Sequence, residues 1–97
     1  MIALSVSMTF PAEAIAEVRE FVRNLTALSN KDAGCVEYWW AQTLEDPNTL
    51  RLYEVWESQQ ALQDHLGLPH EEEFKAKIQP LVAKIDVRYY DPQTVRA

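Results

Sequence analysis

The chain has 97 residues, 47% apolar and 25% charged, the make-up of one folded domain spanning residues 1–97. Fifteen acidic against nine basic residues leave a net charge of −6, which sets aside nucleic acid and anionic membrane surfaces, since both are bound by Lys and Arg neutralising phosphates. Cys35 is the single cysteine, so an internal disulfide is excluded, and no apolar run approaches the roughly 20 residues of a membrane span, so the expected location is the cytoplasm.

The opening segment, IALSVSMTF, places Leu4, Val6, Met8 and Phe10 on one face and Ser5, Ser7 and Thr9 on the other, the period-two pattern of a half-buried strand. It carries no basic stretch ahead of its apolar part and does not read as a signal peptide. Pro11 resets the chain as a proline in a first helical turn does. Ile15, Val18, Val22 and Leu25 then recur at helical spacing, flanked by Ala14, Phe21 and Leu28, and predict an amphipathic helix that ends at the polar turn SNKDAG. CVEYWWAQT and TLRLYEVWE are rich in β-branched and aromatic residues and predict two strands joined across LEDPN as a hairpin.

Ser58 can cap a helix QQALQDHL, and Gly67 can end it. Pro69 opens another helix, with Glu71, Glu72 and Glu73 in its first turn and Lys75 and Lys77 later, as the helix dipole favours; Pro80 kinks or ends it. KIDVRYYD supplies a last strand, and PQTVRA a tail positioned to reach a partner subunit. The order β-α-β-β-α-β, with its second helix broken at Gly67–Pro69, is that of the α+β ferredoxin-like split unit: one antiparallel sheet with helices on one face. The other face needs a cover, and a second copy of the chain is the simplest one.

LYEVWESQQALQDHLGLPH, residues 52–70, resembles the signature E-x-W-x-s-x-x-a-x-x-x-H-x-x-x-P-H of the antibiotic biosynthesis monooxygenase family, its small quinol-monooxygenase-like members above all. AGCVEYWWAQTLEDPN resembles the family's preceding element, a Gly before a strand with a central Tyr and an acidic turn. The resemblance implies a homodimeric α/β-barrel with a pocket in each subunit between the sheet and its own helices. It implies oxidation of a phenolic or hydroquinone-type aromatic by molecular oxygen, with no cofactor and no metal.

Residue by residue, Trp56 matches the family's pocket tryptophan, His65 the helix histidine of the quinol-type members, and His70 the histidine after the proline. Two positions depart: Leu52 and Leu62 stand where the polyketide-oxidising members carry Asn and Tyr. The haem-degrading branch has Trp where this chain has His65, and its ligand histidine falls near Lys75, which disfavours haem.

His65 and Trp56 are therefore the expected catalytic pair. His65 suits a general base because its ordinary pKa is near neutrality, and Trp56 can stack on a flat ring. His70, Tyr53, Tyr38, Trp40, Leu52 and Leu62 are the expected substrate-binding residues. Each has a plainer reading: His65 as a core histidine with a hydrogen-bond partner, His70 as a surface residue, Trp56 as packing. Glu54 is expected to pair with an Arg, either Arg51 or Arg88. Trp39 and Trp40, adjacent on a strand, must split between the helix side and the presumed dimer interface. His65 and His70 are five apart with Gly67 and Pro69 between them, not the four-residue spacing of a helical ligand pair, so a metal is not expected. Gly34 and Gly67 are the only glycines, so there is no glycine-rich phosphate loop and a nucleotide cofactor is not expected. Two other functions stay open: a non-catalytic ligand-binding dimer, motivated by Leu52 and Leu62, and a non-oxidative isomerase, which needs a polar pocket and would be favoured by Ser5, Ser7 or Gln42 converging with His65.

Overall fold

The alternation in the first strand survives in three dimensions and fixes which face of the sheet is covered. The computed structural model describes residues 1–92. Strand β1 (Ile2–Thr9) is followed by a short 3-10 turn, Ala12–Ala14, and helix α1 (Ile15–Ser29); strands β2 (Cys35–Gln42) and β3 (Thr49–Trp56) come next, then helices α2 (Gln59–Leu66) and α3 (Pro69–Ile78), and strand β4 (Lys84–Tyr90). The sheet order is β2-β3-β1-β4 and each neighbouring pair is antiparallel, the ferredoxin-like arrangement expected.

Register decides the faces. Leu4 pairs with Glu54 and Val6 with Leu52 between β1 and β3, while Tyr38 pairs with Glu54 and Trp40 with Leu52 between β2 and β3. Paired residues share a face, so Leu4, Val6, Tyr38, Trp40, Leu52, Glu54 and Trp56 all point toward the helices. Val18, Val22 and Leu25 of α1, Leu62 of α2, and Phe74 and Ile78 of α3 close over them as one core. Trp39 and Trp40 do split: Trp40 meets Phe74 edge-on under the helices, and Trp39 lies on the outer face against Tyr53.

The helix boundaries follow local chemistry. Pro11 precedes the 3-10 turn, so α1 begins a turn later than a proline-led start predicts. Ser58 caps α2, its hydroxyl accepting from the Ala61 amide at 3.0 Å. Gly67 follows the last residue of α2 with ordinary right-handed dihedrals, and Pro69 opens α3, which ends before Pro80. Among the described residues Gly34 is the one with positive φ, +81°, and a Cβ there would lie 2.5 Å from Ala61 Cβ. Only glycine lets the turn after α1 close against α2, and the Gly34 carbonyl accepts from the Glu57 amide at 2.8 Å. That contact brings Asp32 to the end of α2. The tail expected to reach a partner lies, beyond Pro92, outside the described residues.

Candidate functional site

His65 follows Leu62 on the inner side of α2 and is only 2% exposed. Its ring lies over Trp56 at the end of β3, with centroids 4.4 Å apart and planes tilted by 30°. Tyr38 meets it edge-on at 5.9 Å. His65 Nδ1 is 2.7 Å from Asp32 Oδ2, and His70 Nε2 at the start of α3 is 2.8 Å from the same oxygen. On the far side of the imidazole, His65 Nε2 is 3.4 Å from Glu71 Oε2, a buried oxygen with no hydrogen bond of its own. Asp32 is thus a partly buried carboxylate bridging two histidines from different helices.

Below this cluster Trp56 Nε1 donates to Glu54 Oε1 at 2.8 Å, and Trp40 Nε1 donates to the Tyr38 hydroxyl at 3.1 Å. Glu54 is not paired with an arginine. Arg51 donates instead to Ser5 Oγ and Arg88 to Asp86, both on the outer face, because the strand register puts Glu54 on the opposite side of the sheet from either guanidinium.

The local field sets the protonation states. Burial pushes the His65 imidazole toward neutrality, but the carboxylates of Glu71 and Asp32 beside it and the charge of Glu54 outweigh that, and its pKa is raised. Burial raises the Glu54 carboxyl; the Trp56 N–H and the nearby His65 partly offset it. Burial likewise drives the Tyr38 phenol far above its ordinary value, against the hydrogen bond from Trp40, so it stays neutral. Cys35 is raised by burial and by Asp32 and Glu54, which leaves an unreactive thiol.

A cavity of about 200 Å³ opens between α1 and α3, lined by Phe21, Asn24, Leu25, Leu28, His70, Glu73, Phe74 and Lys77. Its volume is below the roughly 300–1,000 Å³ of drug-sized sites. His70 is where this cavity touches the cluster. Trp56, His65, Leu52 and Leu62 are buried beneath and are absent from its wall. The structure therefore joins His65, His70, Trp56 and Tyr38, places Trp40, Leu52 and Leu62 in the adjoining core, and separates Tyr53, which sits on the outer face beside Trp39.

Asp32 and Glu71 are the members the sequence did not single out. Asp32 sits in SNKDAG and reads as a turn former; Glu71 reads as one of three dipole-compensating acids. The positive-φ Gly34 was the one local sign that this turn approaches another element closely.

A sequence profile of the family described as antibiotic biosynthesis monooxygenase matches residues 1–77. The chain belongs to the antibiotic biosynthesis monooxygenase family. No curated protein matches its sequence. Among solved structures, a Deinococcus radiodurans protein named for the same family superposes with a TM-score of 0.91 at 20% identity, covering 100% of this chain and 97% of the other. A Nitrosomonas europaea protein named for the family gives 0.90 at 17% identity, covering 94% and 97%. A Mycobacterium tuberculosis protein gives 0.88 at 22% identity, covering 94% and 93%. At such identities the likeness is one of fold. Among the described residues of this antibiotic biosynthesis monooxygenase family member, no helix is long and apolar enough to cross a membrane.

Proposed function

We propose that this chain is a monooxygenase that oxidises a small phenolic or hydroquinone-type aromatic with molecular oxygen, bound in the cavity between α1 and α3. The observation that carries the reading is His70: it stands in the wall of a cavity that also holds Phe21 and Phe74, and it is hydrogen-bonded to a partly buried carboxylate that also holds His65. Phe21 and Phe74 flank the ring, and the phenol hydroxyl meets His70. His70 takes the proton as general base, and Asp32 stabilises the imidazolium that results. His65, expected from the sequence to take the proton directly, sits one carboxylate further in. It holds Asp32 in place and is itself fixed by Trp56 and Glu71.

The phenolate then gives one electron to oxygen. The resulting superoxide and phenoxyl radical join at a ring carbon, that carbon loses its hydrogen as a proton, and the O–O bond breaks. One oxygen atom stays on the ring; the other leaves as water with the two phenolic hydrogens. A hydroquinone and one O2 thus give a hydroxyquinone and one water, with every electron drawn from the substrate.

The convergence that would favour an isomerase is not seen: Ser5 and Ser7 face outward, and Gln42 donates to the Pro47 carbonyl. A second copy of the chain is proposed to cover the outer face and β4, in the cytoplasm. Support comes from Trp39, Ile85, Val87, Tyr89 and Tyr90, all exposed on the single chain.

The test is oxygen uptake by the metal-stripped chain with a panel of hydroquinones and anthrone-type phenols. Uptake above the spontaneous rate that falls in His70→Gln is the expected result. Affinity for panel members without uptake would overturn it in favour of a binding module.

A further inference from the structure

We propose that Asp32, His65 and His70 form a binding site for one divalent transition-metal ion. The three residues come from the turn after α1, from α2 and from α3, and their ligand atoms all lie within 4.8 Å of one another. The sequence hid this set because the two histidines lie on two helices and the third member is more than thirty residues upstream. Two imidazoles and one carboxylate suit zinc, iron, nickel or copper; magnesium and calcium prefer oxygen donors throughout.

The shell around the set fits the same assignment. A histidine that binds metal through one ring nitrogen generally donates the other N–H to a carboxylate. His65 directs Nδ1 at Asp32 and Nε2 at Glu71 Oε2, 3.4 Å away, and that buried oxygen has no hydrogen bond. The charge also fits. Asp32, Glu54 and Glu71 surround the imidazoles, and among the described residues no Lys or Arg forms an ion pair with any of them. The ion has a way in, because His70 borders the cavity between α1 and α3.

Metal bonds of about 2.0–2.2 Å would set neighbouring ligand atoms roughly 3.3 Å apart in a tetrahedron. Asp32 Oδ2 now stands 2.7 and 2.8 Å from the two nitrogens, so the donors separate by about half an ångström as protons give way to metal. Remaining positions would be open to water or to a ligand oxygen. In terms of the oxidation proposed above, on which this one consequence rests, a bound ion occupies the histidines that hold the proton, so metal and proton uptake exclude each other.

The test is a calorimetric titration of the full chain, stripped by chelator, with Zn2+ and separately with Co2+, the latter also followed by its visible absorption. No substrate is needed, so the result is independent of whether the chain is an oxygenase. One ion per chain is expected. His70→Gln, at a partly exposed position that leaves the core intact, should weaken binding more than about 100-fold, and Glu71→Gln roughly tenfold. The imidazole NMR signals of both His65 and His70 should shift on addition of Zn2+. The absence of saturable binding, or binding that His70→Gln leaves unchanged, would overturn the site.

Discussion

The two faces of the sheet differ in kind. On the inner face Trp56, Leu62 and His65 are all at most 2% exposed, and every polar group among them is drawn into the Glu54, Asp32 and Glu71 network. On the outer face Trp39 is 45% exposed beside Tyr53, and all of β4 is exposed, its inner-side residues Ile85, Val87 and Tyr89 included. The helices cover β2, β3 and β1 but stop short of β4. Over β2, β3 and β1 the inner face is closed within one chain; along β4 it stays open. The outer face has the aromatic content of an interface, and among the described residues no helix lies against it.

The sharpest way to break that contrast is at Trp56. Trp56→Ala should cost about 3–5 kcal/mol, because it empties a fully buried site and removes the surface on which His65 rests; urea denaturation measures it. Gly34→Ala comes next. The positive φ alone costs about 1–3 kcal/mol for a residue with a Cβ, and the 2.5 Å approach to Ala61 adds to it. The double variant Gly34→Ala, Ala61→Gly should recover the steric part and leave the backbone part.

Glu54 gives a smaller effect with an informative sign. Glu54→Ala strands the Trp56 N–H and should cost about 1–3 kcal/mol. Glu54→Gln keeps an acceptor and removes a buried charge, and should be near neutral. The folded carboxyl is raised above its ordinary value of 4.5, so its contribution is fully present below that pH and lost as pH rises through the folded value. Over that interval the Gln variant should gain on the wild type in paired urea titrations. The smallest effect on chain stability belongs to the outer face. Trp39→Ser should change it by no more than about 0.5 kcal/mol, yet shift sedimentation toward the monomer. A large loss of stability without a change in assembly would break the comparison.

Much of this was legible in the residues. The period-two run in β1, the helical stripe of α1, the Ser58 cap and the Gly67–Pro69 break each depend on local preference, and each stands where the pattern put it. The inward aim of His65 followed from its spacing to Leu62. What could not be read was pairing at a distance. Asp32 meets His65 across 33 positions and His70 across 38, through a turn whose only local signal is Gly34. The partner of Glu54 was misjudged for a related reason: strand register, which sequence leaves open, sends Arg51 and Arg88 to the other face. Parity along β3 separates Tyr53 from Glu54 and Trp56 in the sequence already, but which of the two faces the helices cover is decided only by the fold.

The most direct measurement of the central claim is isotope incorporation from 18O2 during turnover of a hydroquinone by the metal-stripped chain. One labelled atom in the quinone product and one in water, at one O2 per substrate, is the predicted result, with the rate reduced in His70→Gln. Unlabelled quinone with labelled hydrogen peroxide would show simple oxidation without oxygen transfer and would contradict the account.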